Sequence, residues 1–262
     1  MKYKIGILGL GKMGSSILTG IIKSNIFKKE EILLYDVDEE KKAQFTNDGF
    51  ILSDSEEYLF NNSSMVLIAI KPQMFDQLLK IKLNNDSIVI ISIAAGKTIK
   101  DLQNVFGNKQ YIRVMPNTPA FIMSSASAIT KGDNVNEDSF EKVKQIFESI
   151  GVVEEVPEDK MNEIIPVNGS MPAYLYYFIE AFIDEAVNKG IDYNVAKKLA
   201  CEAIIGSAKM ILETDKDIKQ LIKDVCSPGG TTIEGLKVLE ENDFQEIIKK
   251  AFNACVNRAY EL

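Results

Sequence analysis

Three glycines near the amino terminus constrain this chain more than any other feature. Gly9-Leu10-Gly11-Lys12-Met13-Gly14 follows the apolar run Lys4-Ile5-Gly6-Ile7-Leu8 and leads straight into a helical pattern through Ile17, Leu18, Ile21 and Ile22. A glycine string alone says little. Set between a strand and a helix at the start of a βαβ unit, it gives each glycine a physical task. Gly9 permits the tight turn, Gly11 lets backbone approach a pyrophosphate, and Gly14 lets the helix pack close on the strand. The helix start adds free N–H groups and the positive end of its dipole. Residues 9–14, with Leu10, Lys12 and Met13 between the glycines, therefore read as a dinucleotide site. Asp36 ends the next apolar run, roughly 20 residues on, where a carboxylate accepts from the ribose 2′-hydroxyl of NAD and repels a 2′-phosphate. No arginine lies nearby; Lys41 and Lys42 are able to reach a phosphate but read rather as exposed helix lysines. Asp36 thus favours NADH over NADPH.

The rest of the first half repeats the alternation. Ile32–Tyr35, Met65–Ile70, Ser87–Ile93, Tyr111–Met115, Ser127–Thr130 and 151–156 read as strands, with helical stretches between. Near-continuous apolar strands separated by helices imply a mostly parallel sheet covered on both faces. After Pro157 the strand-like runs stop. Helical patterns take over at 173–188, 193–212, 218–226, 231–240 and 244–260. The predicted fold is α/β: a Rossmann-type domain over 1–160, then an all-helical domain over 161–262.

Composition narrows the chemistry. Among 262 residues there is no histidine, which removes histidine general bases, Ser-His-Asp triads and His-ligated zinc. Three widely spaced cysteines, Cys201, Cys226 and Cys255, form no CxxC pair, so neither a disulfide framework nor a metal site is expected. A reducing cytoplasm fits. The net charge of −8 argues against nucleic acid as the main partner. No apolar run approaches the ~20 residues of a membrane span, and the first residues lack a signal-peptide pattern.

Other turns carry candidate contacts. Ala69-Ile70-Lys71-Pro72-Gln73 and Ser92-Ile93-Ala94-Ala95-Gly96 fall at carboxyl ends of strands, where open α/β sheets bind ligands. They are either cofactor-facing turns, through Ala69, Lys71, Pro72, Ala94 and Gly96, or ordinary strand-to-helix turns. Arg113-Val114-Met115-Pro116-Asn117-Thr118-Pro119 is a stiff loop that adds Asn117 to the candidate cofactor contacts. In Gly169-Ser170-Met171-Pro172-Ala173-Tyr174, Ser170 reads as a helix cap. Cys226-Ser227-Pro228-Gly229-Gly230-Thr231-Thr232 feeds a glycine-rich turn into a helix. The N–H groups of Gly230, Thr231 and Thr232 form a nest for an anion, most simply a substrate carboxylate, or else a plain cap.

These strings, in this order, resemble pyrroline-5-carboxylate reductases. The glycine fingerprint, Lys71-Pro72-Gln73, Met115-Pro116-Asn117-Thr118-Pro119 and Ser227-Pro228-Gly229-Gly230-Thr231-Thr232 carry the resemblance over essentially the whole chain. It implies reduction of 1-pyrroline-5-carboxylate to L-proline with NAD(P)H, the last step of proline synthesis, by a homodimer or larger homo-oligomer joined through the helical domain. It also implies Thr232 on the ring nitrogen and Ser227, Gly229, Gly230 and Thr231 at the carboxylate. An imine arrives protonated more readily than a ketone, so a chain without histidine can reduce it. One departure stands out: Met171 replaces the second glycine of Gly-Ser-Gly-Pro-Ala-Tyr, which bears on substrate range. A β-hydroxyacid dehydrogenase would need a lysine between Ala173 and Asn188, and none is there. Another imine reductase or a non-catalytic nucleotide sensor is the remaining alternative. A sensor has no use for the nest at 227–232.

Overall fold

A computed structural model describes residues 2–262. They form two compact units. One comprises the chain up to Pro172 together with Cys255–Leu262, and the other is Ala173–Ala254.

The first unit is built on one sheet. In chain order its elements are β1 (Tyr3–Leu8), α1 (Lys12–Lys23), β2 (Ile32–Tyr35), α2 (Glu39–Asn47), β3 (Ile51–Leu52), α3 (Glu56–Asn62), β4 (Ser63–Ile68), β5 (Val89–Ser92), α4 (Ile99–Phe106), β6 (Gln110–Met115), β7 (Ser125–Lys131), α5 (Glu137–Glu148) and β8 (Gly151–Glu155). A 3-10 helix, Pro72–Lys80, joins β4 to β5. The sheet order is β3-β2-β1-β4-β5-β6-β7-β8. Every neighbouring pair is parallel except β6 and β7. The mostly parallel sheet expected from the sequence is thus present, with β3 as an additional two-residue edge strand.

Alternation along the strands makes two cores, one on each face. Ile5, Ile7, Ile32, Leu34, Leu67 and Ile91 point to the face covered by Ile17, Leu18 and Ile21 of α1 and Phe140, Val143 and Phe147 of α5. Leu8, Leu33, Val66, Ile68 and Ile90 point to the other, covered by Leu59 and Phe60 of α3 and Leu102 and Phe106 of α4. Most of these side chains are fully buried, and each such burial is worth roughly 1.5–3 kcal/mol. Two-sided burial explains why the strands read as unbroken apolar runs.

Strand order positions the site. β1 lies between β2 and β4, so the chain passes to one side of β1 and then to the other. The crevice outside the carboxyl ends at such a switch point is where open α/β sheets take ligands. Residues 9–14, Asp36, 69–71 and 94–96 all follow the carboxyl ends of these parallel strands.

The second unit is helical: α6 (Met171–Asn188), α7 (Tyr193–Glu213), α8 (Ile218–Val225), α9 (Thr231–Glu241) and α10 (Phe244–Tyr260), the first and last of which extend into the first unit. Asp192 and Asp217 cap α7 and α8 by accepting from backbone N–H groups two or three residues on. Within 173–254, Ile183 and Ala196 are the buried apolar residues among the described ones. Tyr177, Leu199 and Leu212 are 80%, 65% and 84% exposed. Exposed apolar side chains of this number make the unit's surface a candidate contact face.

Candidate functional site

The glycine turn shows why each glycine is there. Gly9 has φ +98°, a left-handed conformation, and a Cβ on it would sit 2.6 Å from the Ala69 carbonyl oxygen. A Cβ on Gly14 would lie 2.1 Å from Gly9 O, so helix and strand pack too closely for alanine. A Cβ on Gly11 would meet nothing within 4 Å. Gly11 therefore opens its backbone to a ligand rather than to protein. Gly11 is the N-cap of α1 and offers no side-chain cap. The N–H groups of Lys12, Met13 and Gly14, in the first turn of α1, have no partner within the helix and are of the kind that can receive an anion.

Asp36 is 7% exposed. Its Oδ2 accepts the Leu10 N–H at 2.6 Å and its Oδ1 accepts the Asp38 N–H at 3.0 Å. Lys41 Nζ stands 3.5 Å from Asp36 Oδ2 and 3.7 Å from Asp38 Oδ2. Leu10 thus contributes through its bond to Asp36, its own side chain being buried. A cavity of about 360 Å³ holds these groups, lined by Gly9, Gly11, Asp36, Lys41, Ala69 and Lys71 among others. Its size, the open face of Gly11 and a carboxylate at the end of β2 fit the adenosine and pyrophosphate of a dinucleotide.

The remaining cofactor candidates divide by what holds them. Ala69 packs against Gly9, and Lys71 is exposed beside Pro72, the first residue of the 3-10 helix. Ala94 is buried, with its N–H on Ser92 Oγ. Gly96, φ +75°, meets the end of α10: a Cβ there would be 2.7 Å from both Ala259 O and Leu262 Cβ. Asn117 is 8% exposed and its amide is engaged. Its Oδ1 accepts from Ser125 Oγ and the Ala126 N–H, and its Nδ2 donates to Asn168 O. Asn168 returns the tie, donating to Met115 O at 2.6 Å and to Ala126 O at 3.1 Å. Asn117 and Asn168 together fasten the loop after β6 to the segment leading into α6.

In the helical unit, Gly229 has φ +71° and Gly230 is the N-cap of α9. The Gly230 N–H donates to Ser227 O at 3.0 Å and closes the turn. It is therefore not available to an anion as the sequence reading had it. The free N–H groups are those of the first helical turn, beginning at Thr231 and Thr232. A Cβ on Gly230 would be 2.5 Å from Ser227 Oγ and 3.0 Å from Ser227 O, so any larger residue there would have to displace the Ser227 hydroxyl. Thr232 also lines an apolar cavity of about 360 Å³ with Met210, Ile211, Ile222 and Cys226. The Oγ of Ser170, the residue expected as a helix cap, lies 3.2 Å from Cys255 Sγ. Met171, the first residue of α6, is 46% exposed.

The geometry has relatives throughout the chain's length. A family model described as pyrroline-5-carboxylate reductase dimerisation matches residues 158–262. One described as NADP oxidoreductase coenzyme F420-dependent matches residues 4–96. The pyrroline-5-carboxylate reductase of Escherichia coli strain K12 is 36% identical over 267 residues, spanning 100% of this chain and 99% of its own. The chain belongs to the pyrroline-5-carboxylate reductase family. The reductase of Pisum sativum is 35% identical over 99% of this chain and 96% of its own. A crystal structure of the Plasmodium falciparum pyrroline carboxylate reductase with NADP bound superposes with a TM-score of 0.90 at 32% identity, covering 100% of this chain and 98% of that one.

Against this pyrroline-5-carboxylate reductase framework, sequence reasoning left out three residues that shape the first unit. Asn168 is one. Glu158 is another: its Oε1 accepts from Arg113 Nη1 at 2.8 Å and from the Ile99 N–H at 2.9 Å, joining β6, the start of α4 and the segment after β8. Arg113 is 4% exposed, so its partner is a structural necessity. Glu56, the third, lines the same cavity as Asp36. A buried arginine on a strand signals that an acid must meet it, but no local pattern says which. No helix among the described residues is long and apolar enough to cross a membrane.

Proposed function

We propose that this chain reduces 1-pyrroline-5-carboxylate to L-proline with NAD(P)H, the last step of proline synthesis. The full-length match to proteins named for that reaction carries the reading. The absence of histidine agrees with it, because a protonated imine is already electrophilic and needs no strong general acid. Catalysis rests mainly on positioning and electrostatics. The reduced nicotinamide, when bound, supplies the hydride.

The chain's own residues hold the reactants. Lys12, Met13 and Gly14 N–H groups face the pyrophosphate, with Gly9 and Gly11 shaping the turn. Asp36 accepts from the adenosine ribose and makes NADH the preferred donor, opposing a 2′-phosphate with its charge. Ala69, Lys71, Pro72, Ala94 and Gly96 border the cofactor, and Asn117 shapes the loop beside it. The Ser227 hydroxyl and the Thr231 N–H hold the substrate carboxylate, Gly229 and Gly230 set the turn, and the Thr232 hydroxyl accepts from the protonated ring nitrogen. The helical unit joins a second copy through its exposed apolar faces, as its match to a dimerisation family supports. The surroundings are cytoplasmic, and nucleic acid is not a partner.

Purified chain supplied with 1-pyrroline-5-carboxylate is expected to oxidise NADH and form proline. Folded protein that turns over with neither NADH nor NADPH overturns the reading.

A further inference from the structure

We propose that Glu56 is a second specificity residue of the cofactor cavity, a carboxylate that discriminates against a 2′-phosphorylated dinucleotide alongside Asp36. The inference rests on the reading that this cavity takes the adenosine ribose.

Three observations carry it. The first is placement. Glu56 is the first residue of α3, separated from the end of β3 by the short segment 53–55, and Asp36 immediately follows β2. β2 and β3 are parallel neighbours, with Leu34 opposite Leu52. Their carboxyl ends thus deliver both acids to one corner of the sheet, and both side chains line the same cavity.

The second is charge. Asp36 and Asp38 share Lys41, whose Nζ is 3.5 Å and 3.7 Å from them. No ion pair engages Glu56 among the described residues. Lys71, the other ammonium group of the cavity, follows β4 on the opposite side of β1 from β2 and β3. The ribose corner therefore holds a lysine already shared between two acids, and a third acid beyond it.

The third is environment. Burial pushes the Glu56 carboxyl above its usual range, and Lys80 opposes that only partly. A phosphate dianion beside it would push it further the same way, so binding one costs like-charge repulsion or the uptake of a proton, whereas a hydroxyl donor favours the carboxylate. The ribose 2′-hydroxyl of NADH supplies such a donor. A 2′-phosphate supplies charge of the same sign.

The experiment is a fluorescence titration of the full chain with NADH and with NADPH, which requires no turnover. Glu56→Gln keeps the shape and removes the charge. It is expected to tighten NADPH about 3- to 10-fold relative to NADH, where tenfold corresponds to ~1.4 kcal/mol. NADH itself should move less than about twofold. The gain should shrink at molar salt, where the screening length falls to about 3 Å. Glu57→Gln is the control: it removes the same charge from the next, exposed residue and should leave the ratio unchanged. If Glu56→Gln alters both dinucleotides alike, or matches Glu57→Gln, the inference is overturned. Asp36→Ser separates that failure from failure of the underlying reading. A ratio that responds to Asp36→Ser but not to Glu56→Gln leaves the ribose pocket standing and removes Glu56 from it. A ratio that responds to neither removes the pocket assignment, and Glu56 with it.

Discussion

The Leu10 amide donates to Asp36 Oδ2 at 2.6 Å across 26 residues of sequence. This bond joins the turn after β1 to the end of β2, so the carboxylate has two duties. One oxygen ties down the glycine turn, while in the proposed function the group as a whole presents negative charge to the ribose.

Asp36→Ser tests both duties. Removing the charge should raise the preference for NADPH over NADH by about tenfold or more, ~1.4 kcal/mol. Losing the acceptor for the Leu10 N–H should also cost about 1–3 kcal/mol of stability, the usual penalty for an unsatisfied buried donor. Kinetics with both cofactors and a thermal melt check the two effects on one protein. Wild-type chain that already prefers NADPH by about tenfold would contradict the role given to Asp36.

Gly96→Ala should damage the turn after β5. The backbone there is left-handed, φ +75°, and the added carbon would lie 2.7 Å from Ala259 O. The conformation alone costs roughly 1–2 kcal/mol for a residue with a Cβ. The overlap adds to that, because the end of α10 must move. The expected result is a lower melting temperature together with weaker NADH binding. Unchanged values for both would show that the contact with the end of α10 does not constrain the turn.

Much of this was legible in the chain itself, and the exceptions share a cause. The alternation of apolar strands and helices, with Gly9, Gly11 and Gly14 at the first turn, gives the sheet and its ligand-binding edge, because those signals lie within one βαβ unit. β3 was not visible, since Ile51 and Leu52 are too short a run to show a period. Gly96 reads as a turn glycine. Its actual constraint comes from Ala259, far along the chain, and no local pattern carries that. The Gly230 N–H reads as free in sequence, yet it closes onto Ser227 O once the turn forms. Local chemistry names the element, and tertiary contacts decide which of its polar groups remain free.

The capping box that starts α4 gives a pH-dependent prediction. Thr98 Oγ accepts the Asp101 N–H at 3.1 Å, and Asp101 Oδ2 accepts the Thr98 N–H at 2.8 Å. Burial alone would raise the Asp101 carboxyl, but the Thr98 hydroxyl and N–H hold it below its usual range. A carboxyl depressed by folding stabilises the fold above its unfolded pKa and loses that contribution as pH falls through the folded value. Asp101→Asn should therefore be less stable than wild type near neutrality, with the gap closing in acid below the ordinary aspartate range. Thr98→Ala should cost about 0.5–2 kcal/mol. Melts across pH check both, and a gap that widens in acid would contradict the assignment.

Thr232 is where the substrate chemistry is tested most sharply. It is the second residue of α9, just beyond a turn that Gly229 and Gly230 make possible and that the Gly230 N–H closes onto Ser227. Thr232→Val keeps the shape and removes the hydroxyl. Losing one hydrogen bond to a charged group should cost about 1.5–3 kcal/mol, or on the order of 10- to 150-fold in kcat/KM. NADH binding should barely change, because the glycine turn and Asp36 belong to the other compact unit. Thr232 is not the N-cap, and Gly230 in that position makes no side-chain cap bond, so helix stability should change little. A melt on the same variant checks this. Ser227→Ala should instead raise KM more than it lowers kcat, since a carboxylate contact persists from ground state to transition state. If Thr232→Val is fully active, or weakens NADH binding as much as turnover, the ring nitrogen is held elsewhere. The hydroxyls of Ser227 and Thr231 would then be the next groups to remove.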